Sequence, residues 1–209
     1  MPFAFAWILA VGVVVAGGPL PAAALDTGSG TSRPAEYRLG ERLPPAALSP
    51  PAATQTGYKV INWDALMPAN WDPMKVFKGL DLNKLSDADP RAMAALDRLR
   101  TEWNNAPAKA SMNGARIRIP GFVVPLENAR DQIREFLLVP YFGACIHSPP
   151  PPSNQIIHVF PATPLNNVRA MDAVWVNGVL ETARSDTGMG SAGYRMKADG
   201  VTPYRKPRG

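Results

Sequence analysis

From Ala115 onward the chain breaks into short apolar or alternating stretches punctuated by Gly, Pro and Asn. One amphipathic run precedes them, and the length beyond the N-terminal segment suits a single domain of ordinary size. These observations predict a mainly β domain with one flanking helix, an α+β arrangement. The form expected is a small five-stranded OB-like barrel, since several short strands joined by turns tend to close on themselves. An open antiparallel sheet packed on the helix is the second arrangement the pattern allows.

Met1 to Ala24 carries no charged side chain. Phe3 to Val15 is apolar, Gly17-Gly18-Pro19 breaks the run, and Ala22-Ala23-Ala24 offers small residues, so residues 1–24 read as a secretory signal cut after Ala24. An uncleaved anchor is the rival reading, but spanning a bilayer takes about twenty apolar residues. With no cysteine after the apolar run, lipid attachment is not expected. The expected location is the periplasm or the exterior, with no stable membrane insertion once the signal is removed. Residues 25–56, rich in Pro, Ala, Gly, Ser and Thr, read as a linker. Residues 57–199 form the expected single domain and 200–209 a solvated basic tail.

Within the domain, Tyr58 to Ile61 reads as a short strand. Asn62-Trp63-Asp64 recurs as Asn70-Trp71-Asp72, and Pro68 and Pro73 keep that segment irregular. Ser86 to Asn105 is the clearest helix, with Asp89 as cap, Pro90 in the first turn and Met93, Leu96, Leu99 and Trp103 as a packing stripe. The strands follow: Arg116 to Leu126 with a bend at Pro120-Gly121, Glu135 to Phe142, Gln155 to Phe160, Ala173 to Thr182 with a bulge at Asn177-Gly178, and Ala192 to Lys197.

A formal charge of +5 is spread over scattered arginines and the tail. Nucleic-acid binding calls for a concentrated basic stripe with interleaved aromatics, so no nucleic-acid partner is expected. The single cysteine excludes an intramolecular disulfide.

That cysteine, Cys145, shares one short window with the only two histidines, His147 and His158. On a strand Cys145 and His147 would share a face, and a chain reversal at Pro151-Pro152 would bring His158 across to them. Three Cys and His ligands suit a zinc site with an open fourth position, to be completed by Glu127, Asp64, Asp186 or Met189. Copper(I) competes, because thiolate and thioether favour it. Two other readings stay open. Cys145 as a small buried hydrophobe with both histidines hydrogen-bonded is one. A Cys–His nucleophile pair is the other, although no Asn or Asp is fixed by spacing as its third member.

The stretches Tyr58 to Met67, Ile119 to Leu126, Phe136 to Val159 around Cys-Ile-His-Ser-Pro-Pro-Pro-Pro, Val174 to Leu180 and Gly190 to Tyr194 resemble a bacterial family of exported proteins, domain-of-unknown-function family 3299. The resemblance implies an exported soluble domain and, through gene neighbourhoods of some members, service to metal transport. It sets the family's cysteine and two histidines on Cys145, His147 and His158. This chain lacks the lipid-attachment cysteine of many members. The leading expectation is thus a periplasmic zinc-binding accessory protein for a membrane transporter. The second is a non-metal interaction module of an envelope complex, docking through the barrel face and the Trp63/Trp71 segment. A thiol enzyme is the third. Oligomeric state is not written in the pattern.

Overall fold

The structure, a computed structural model, describes residues 37–43, 57–72, 74–75, 78, 89–126, 128–129 and 132–206. All fall within the unit Pro34–Gly209. The expected signal peptide and most of the expected linker lie outside the described residues. In chain order the strands are β1 (Lys59–Val60), β2 (Arg116–Pro125), β3 (Asn128–Ala129), β4 (Gln132–Ile133), β5 (Phe136–Val139), β6 (Ile157–Pro161), β7 (Leu165–Asn166), β8 (Ala173–Glu181), β9 (Ser185–Thr187), β10 (Gly190–Ala192) and β11 (Tyr194–Pro203). One α-helix, α1 (Pro90–Asn104), precedes β2.

Five strands close into a barrel in the order β2-β5-β6-β11-β8, with β8 returning to β2. The β6–β11 pair is parallel and the other pairs of the barrel are antiparallel. The closure sets aside the open sheet, because β2 pairs with β8 through Arg116–Phe122 and with β5 through Phe122–Pro125. β1 adds to β2 in parallel. A hairpin of β9 and β10 leaves the barrel between β8 and β11.

Alternation explains the two cores. Ile117, Ile119, Val123, Phe136, Leu138, Ile157, Val159, Val176 and Tyr194 fill the interior. The opposite faces of β2 and β5 send Phe122, Val124, Leu137 and Val139 into a second, outer cluster with Trp175, Ile156 and Tyr204. Each such large side chain contributes about 1.5–3 kcal/mol on burial. Two glycines let the wall close. A Cβ on Gly121 would come within 2.7 Å of Leu138 Cγ, and one on Gly178 would collide with the Lys197 carbonyl.

Several expectations change. β2 continues through Pro120-Gly121 without a register shift and changes partner from β8 to β5 at Phe122, and Gly121 sits where a side chain would meet Leu138. The register shift expected at Asn177-Gly178 falls on the facing strand instead, between Ala198 and Gly200, and takes Asp199 out of the ladder. Residues 200–203, expected in a solvated tail, are strand, and Tyr204 is buried. Tyr37 and Leu43, expected in the linker, pack on the outer cluster, and Gly40 N donates to Phe142 O at 2.9 Å. The domain therefore reaches past both expected boundaries.

α1 begins as expected, with Asp89 accepting from Arg91 N at 2.8 Å and Pro90 in the first turn. Its apolar stripe is covered only in its second half, where Leu99 and Trp103 are half-buried. Met93 and Leu96 are 51% and 43% exposed, and Ala95 is its buried residue. The helix is tied at its C-terminal end, where Arg184 Nη1 donates to Asn104 O at 2.6 Å, a favourable place for a cation. Among the described residues no helix is long and apolar enough to cross a membrane.

Candidate functional site around His158

The Cys–His window folds as two tight turns rather than as strand and hairpin. Gly143, at φ 86°, starts the first, and its carbonyl accepts from the amides of Ile146, His147 and Ser148. Cys145 sits in that turn at φ 65°, so the strand alternation that would have aligned it with His147 does not apply. His147 is exposed and Cys145 half-buried. Burial pushes the Cys145 thiol up to about 12, which keeps it protonated at neutral pH.

The second turn, Ser153–Gln155, is a buried polar clamp. Ser153 Oγ donates to Ala106 O at 3.0 Å, Asn154 Nδ2 to Pro107 O at 3.2 Å and Gln155 Nε2 to Trp63 O at 2.9 Å. Gly193 N donates to Ser153 O at 2.7 Å. The proline run thus delivers a three-residue clamp that joins the chain after α1, the Trp63 turn and the start of β11. A buried amide left without these partners would cost about 1–3 kcal/mol.

His158 pairs in register with Leu137 on β5 and Arg195 on β11, not with Cys145. It points out of the barrel beneath the β9–β10 hairpin. His158 Nδ1 lies 2.7 Å from Ser185 Oγ, and Nε2 lies 2.9 Å from Glu135 Oε2. A carboxylate only accepts, so the imidazole carries its proton on Nε2 and Nδ1 accepts from the serine hydroxyl. Desolvation lowers the His158 pKa, Glu135 works against that shift and Arg195 adds to it. The Phe160 ring lies 4.2 Å from the His158 ring and is itself 37% exposed. Arg195 and Lys197, both exposed, face His158 and Phe160 across β11.

The structure thus does not bring Cys145, His147 and His158 together. Among the described residues no three His, Cys, Asp or Glu side chains converge as a metal-sized group. Of the fourth-ligand candidates, Asp186 is held by Arg184 at 2.9 Å, Asp64 is exposed and Met189 packs on the outer cluster beside which Cys145 also lies. Glu127 lies outside the described residues. Ser185, His158 and Glu135 are the residue types of a nucleophile, base and orienter. Ser185 is nevertheless buried, and it meets Nδ1 while the carboxylate takes Nε2, the reverse of the serine-protease order. The arrangement serves as a polar tie among β5, β6 and β9. Neither Glu135 nor Ser185 was visible beforehand, because each reaches His158 only through the closed barrel. Trp63, expected on a docking segment, is buried and donates Nε1 to Pro120 O at 2.7 Å.

Residues 63–203, about two thirds of the chain, match the family described as "Protein of unknown function (DUF3299)". A crystal structure of a DUF3299 family protein from Pseudomonas aeruginosa PAO1 is 34% identical, with a TM-score of 0.56, over 73% of this chain and 99% of that one. Among curated proteins no match to the sequence was found. Sequence match, coverage and shared fold agree: this chain belongs to the DUF3299 family.

Proposed function

We propose that this chain is an exported, non-catalytic interaction module of a cell-envelope complex, docking through the outer barrel face around Phe160. The observation that carries this reading is Phe160 itself, an exposed aromatic packed at a tilt of 37° against His158 and paired in register, like His158, with the exposed cations Lys197 and Arg195 of β11. Aromatic and arginine side chains together are what protein interfaces concentrate at their energetic centres. In OB-type barrels the second and third strands, with the first-to-second and fourth-to-fifth loops, form the usual binding face. Phe160 and His158 lie on the third barrel strand, Glu135 ends the first-to-second connection, and Ser185 lies in the fourth-to-fifth one.

The zinc reading asks more of the molecule. His158 would have to surrender Ser185 or Glu135, and the Cys145 turn would have to move toward β6. Two measurements test the choice. A photo-crosslinking residue at position 160 should give one discrete adduct in the envelope fraction, lost on Lys197→Glu, while the same residue at position 100 gives none. Elemental analysis of the purified chain should find no zinc or copper that depends on Cys145. Stoichiometric metal that disappears in Cys145→Ser would overturn the proposal in favour of metal handling.

A further inference from the structure

Two turns meet at the end of β5 away from Phe160, and each carries an apolar side chain into solvent. In the first, Glu41 N donates to Arg38 O at 2.9 Å around Leu39 and Gly40, with Gly40 at φ 80°. The second is the Gly143 turn that holds Cys145, Ile146 and His147. Gly40 N donates to Phe142 O and Phe142 N to Glu41 O, each at 2.9 Å, which stitches the two together. Leu39 also lies over Gly143, where a Cβ would collide with its Cδ1. At 62%, Leu39 is the most exposed large apolar side chain among the described residues, and Ile146 in the adjoining turn is 39% exposed. Pro149 and Pro150, both exposed, extend the same tip.

Residues 136–168 contain no Asp, Glu, Lys or Arg. The backbone donors of the Gly143 turn are also taken up internally. The Gly143 carbonyl accepts from Ile146, His147 and Ser148, and the four prolines that follow have no donor to offer. An unpaired amide is costly among lipid chains and cheap in water, so internal pairing at an exposed tip fits lipid. Cations stand around the tip. Lys206 Nζ reaches Glu41 Oε1 at 2.6 Å, and Lys206 first and Arg38 after it hold that carboxyl below its usual range. Arg42 bridges to Tyr141, whose hydroxyl donates to Pro149 O at 3.1 Å. Among the described residues neither Arg38 nor Arg42 forms a salt bridge. Arg38, Arg42 and Lys206 stand against the single Glu41 carboxylate, so positive charge is in surplus.

We infer that this tip is a membrane-contact surface, with Leu39 and Ile146 entering the interfacial layer of an anionic phospholipid bilayer and Arg38, Arg42 and Lys206 meeting its headgroups. Single exposed apolar residues are ordinary on any protein surface. Here two stand on stitched turns, the chain between them and β6 is uncharged, and the cations lie at the rim. Apolar insertion backed by attraction to anionic lipid is how proteins lie on a bilayer without crossing it. His147 and Tyr141, each with an apolar ring and a polar edge, suit the headgroup level. The contact is peripheral and leaves Phe160, at the other end of β6, free for a protein partner, so it stands independently of the docking proposed there.

The chain from Leu25, which keeps the compact unit Pro34–Gly209 whole, is sedimented with vesicles of phosphatidylglycerol and phosphatidylethanolamine, and in parallel with phosphatidylcholine vesicles. Binding to the anionic vesicles alone is expected, and it should weaken as salt rises from about 0.1 M to about 0.5 M. Leu39→Ser and Ile146→Ser should each weaken it about tenfold. Arg42→Gln should weaken it about fivefold, and Met93→Ser on α1 should bind as wild type. All four variants should keep the wild-type circular dichroism spectrum. An environment-sensitive dye is then attached through Ile146→Cys or Phe160→Cys in a Cys145→Ser background. Its emission should shift to the blue on anionic vesicles at position 146 and not at position 160. No binding to anionic vesicles, binding indifferent to both serine substitutions, or a blue shift at both positions or at neither overturns the inference.

Discussion

Ser185 Oγ lies 2.7 Å from His158 Nδ1, a contact that fastens the β9–β10 hairpin to the third strand of the barrel. The other ring nitrogen is taken by Glu135, so one imidazole links three chain segments that share no local sequence. Its neutrality is part of the link, since protonation would leave Nδ1 with a hydrogen where it now accepts the serine hydroxyl.

A pH dependence of stability follows. The folded-state pKa of His158 lies below that of the unfolded chain, so the unfolded state binds the proton more readily. The stabilisation is complete above the ordinary histidine value and is lost as pH falls through the folded-state pKa. Midpoints of urea unfolding measured from pH 7.5 down to pH 5 should decline, and the decline should be shallower in His158→Gln. Parallel curves for the two proteins would show that His158 is not the titrating group.

Ser185→Ala removes the donor to Nδ1 at a buried position and leaves the ring nitrogen unsatisfied. The expected cost is about 1–3 kcal/mol, or a Tm lower by roughly 2–4 °C per kcal/mol for a chain of this size. Amide hydrogen exchange should rise first in β9 and β10, the elements the contact holds down. A uniform rise across the barrel would point to a different role.

The barrel was legible in the sequence because its signal is local. Period-two alternation in Arg116 to Ile119 and the short apolar runs after it depend only on which side chains face inward, and closure follows from the number and spacing of the strands. The site was not legible because its geometry depends on register. His158 faces Leu137 rather than Cys145, and no property of the window chooses between them. The reversal expected at Pro151-Pro152 does not bring His158 to Cys145, because the prolines lead into the Ser153–Gln155 clamp. The cover of the helix stripe is hidden for a related reason. Amphipathic spacing shows that one face is apolar without showing what covers it, and Met93 and Leu96 remain exposed. The boundaries failed where short chain ends borrow burial from distant partners, as Tyr204 does in the outer cluster.

Gly178→Ala tests the barrel wall. The added methyl would meet the Lys197 carbonyl and lie 2.9 Å from Ala198 Cα, both backbone atoms of the paired strand. Neither can move without opening the β8–β11 ladder. Loss of about 3 kcal/mol by urea unfolding is expected, and a neutral outcome would mean that this stretch of ladder shifts freely.

Cys145 should react slowly. With its thiol pKa raised to about 12, the thiolate fraction at neutral pH is on the order of one part in a hundred thousand. Iodoacetamide at pH 7.5 should alkylate the native chain far more slowly than it alkylates the urea-unfolded chain, where the thiol returns to its ordinary range. Rapid native alkylation would revive the thiol-enzyme reading and with it a search for a basic neighbour.

Tyr194→Phe probes how the segments before the barrel are held to it. Tyr194 is fully buried, and its hydroxyl donates to Leu66 O at 2.7 Å while accepting from Lys109 N at 2.6 Å. Removing one oxygen strands a backbone carbonyl and a backbone amide from two different segments, so a cost of about 2–4 kcal/mol is expected. Tyr58→Phe is the matched control. Its hydroxyl bridges Asp199 and Arg116 at the surface, where water can replace it, and the expected change is below about 1 kcal/mol. Tyr194→Phe should lower Tm, while Tyr58→Phe should leave it nearly unchanged. Equal loss of Tm in both variants would place the two tyrosines in one structural role and remove the distinction drawn between them.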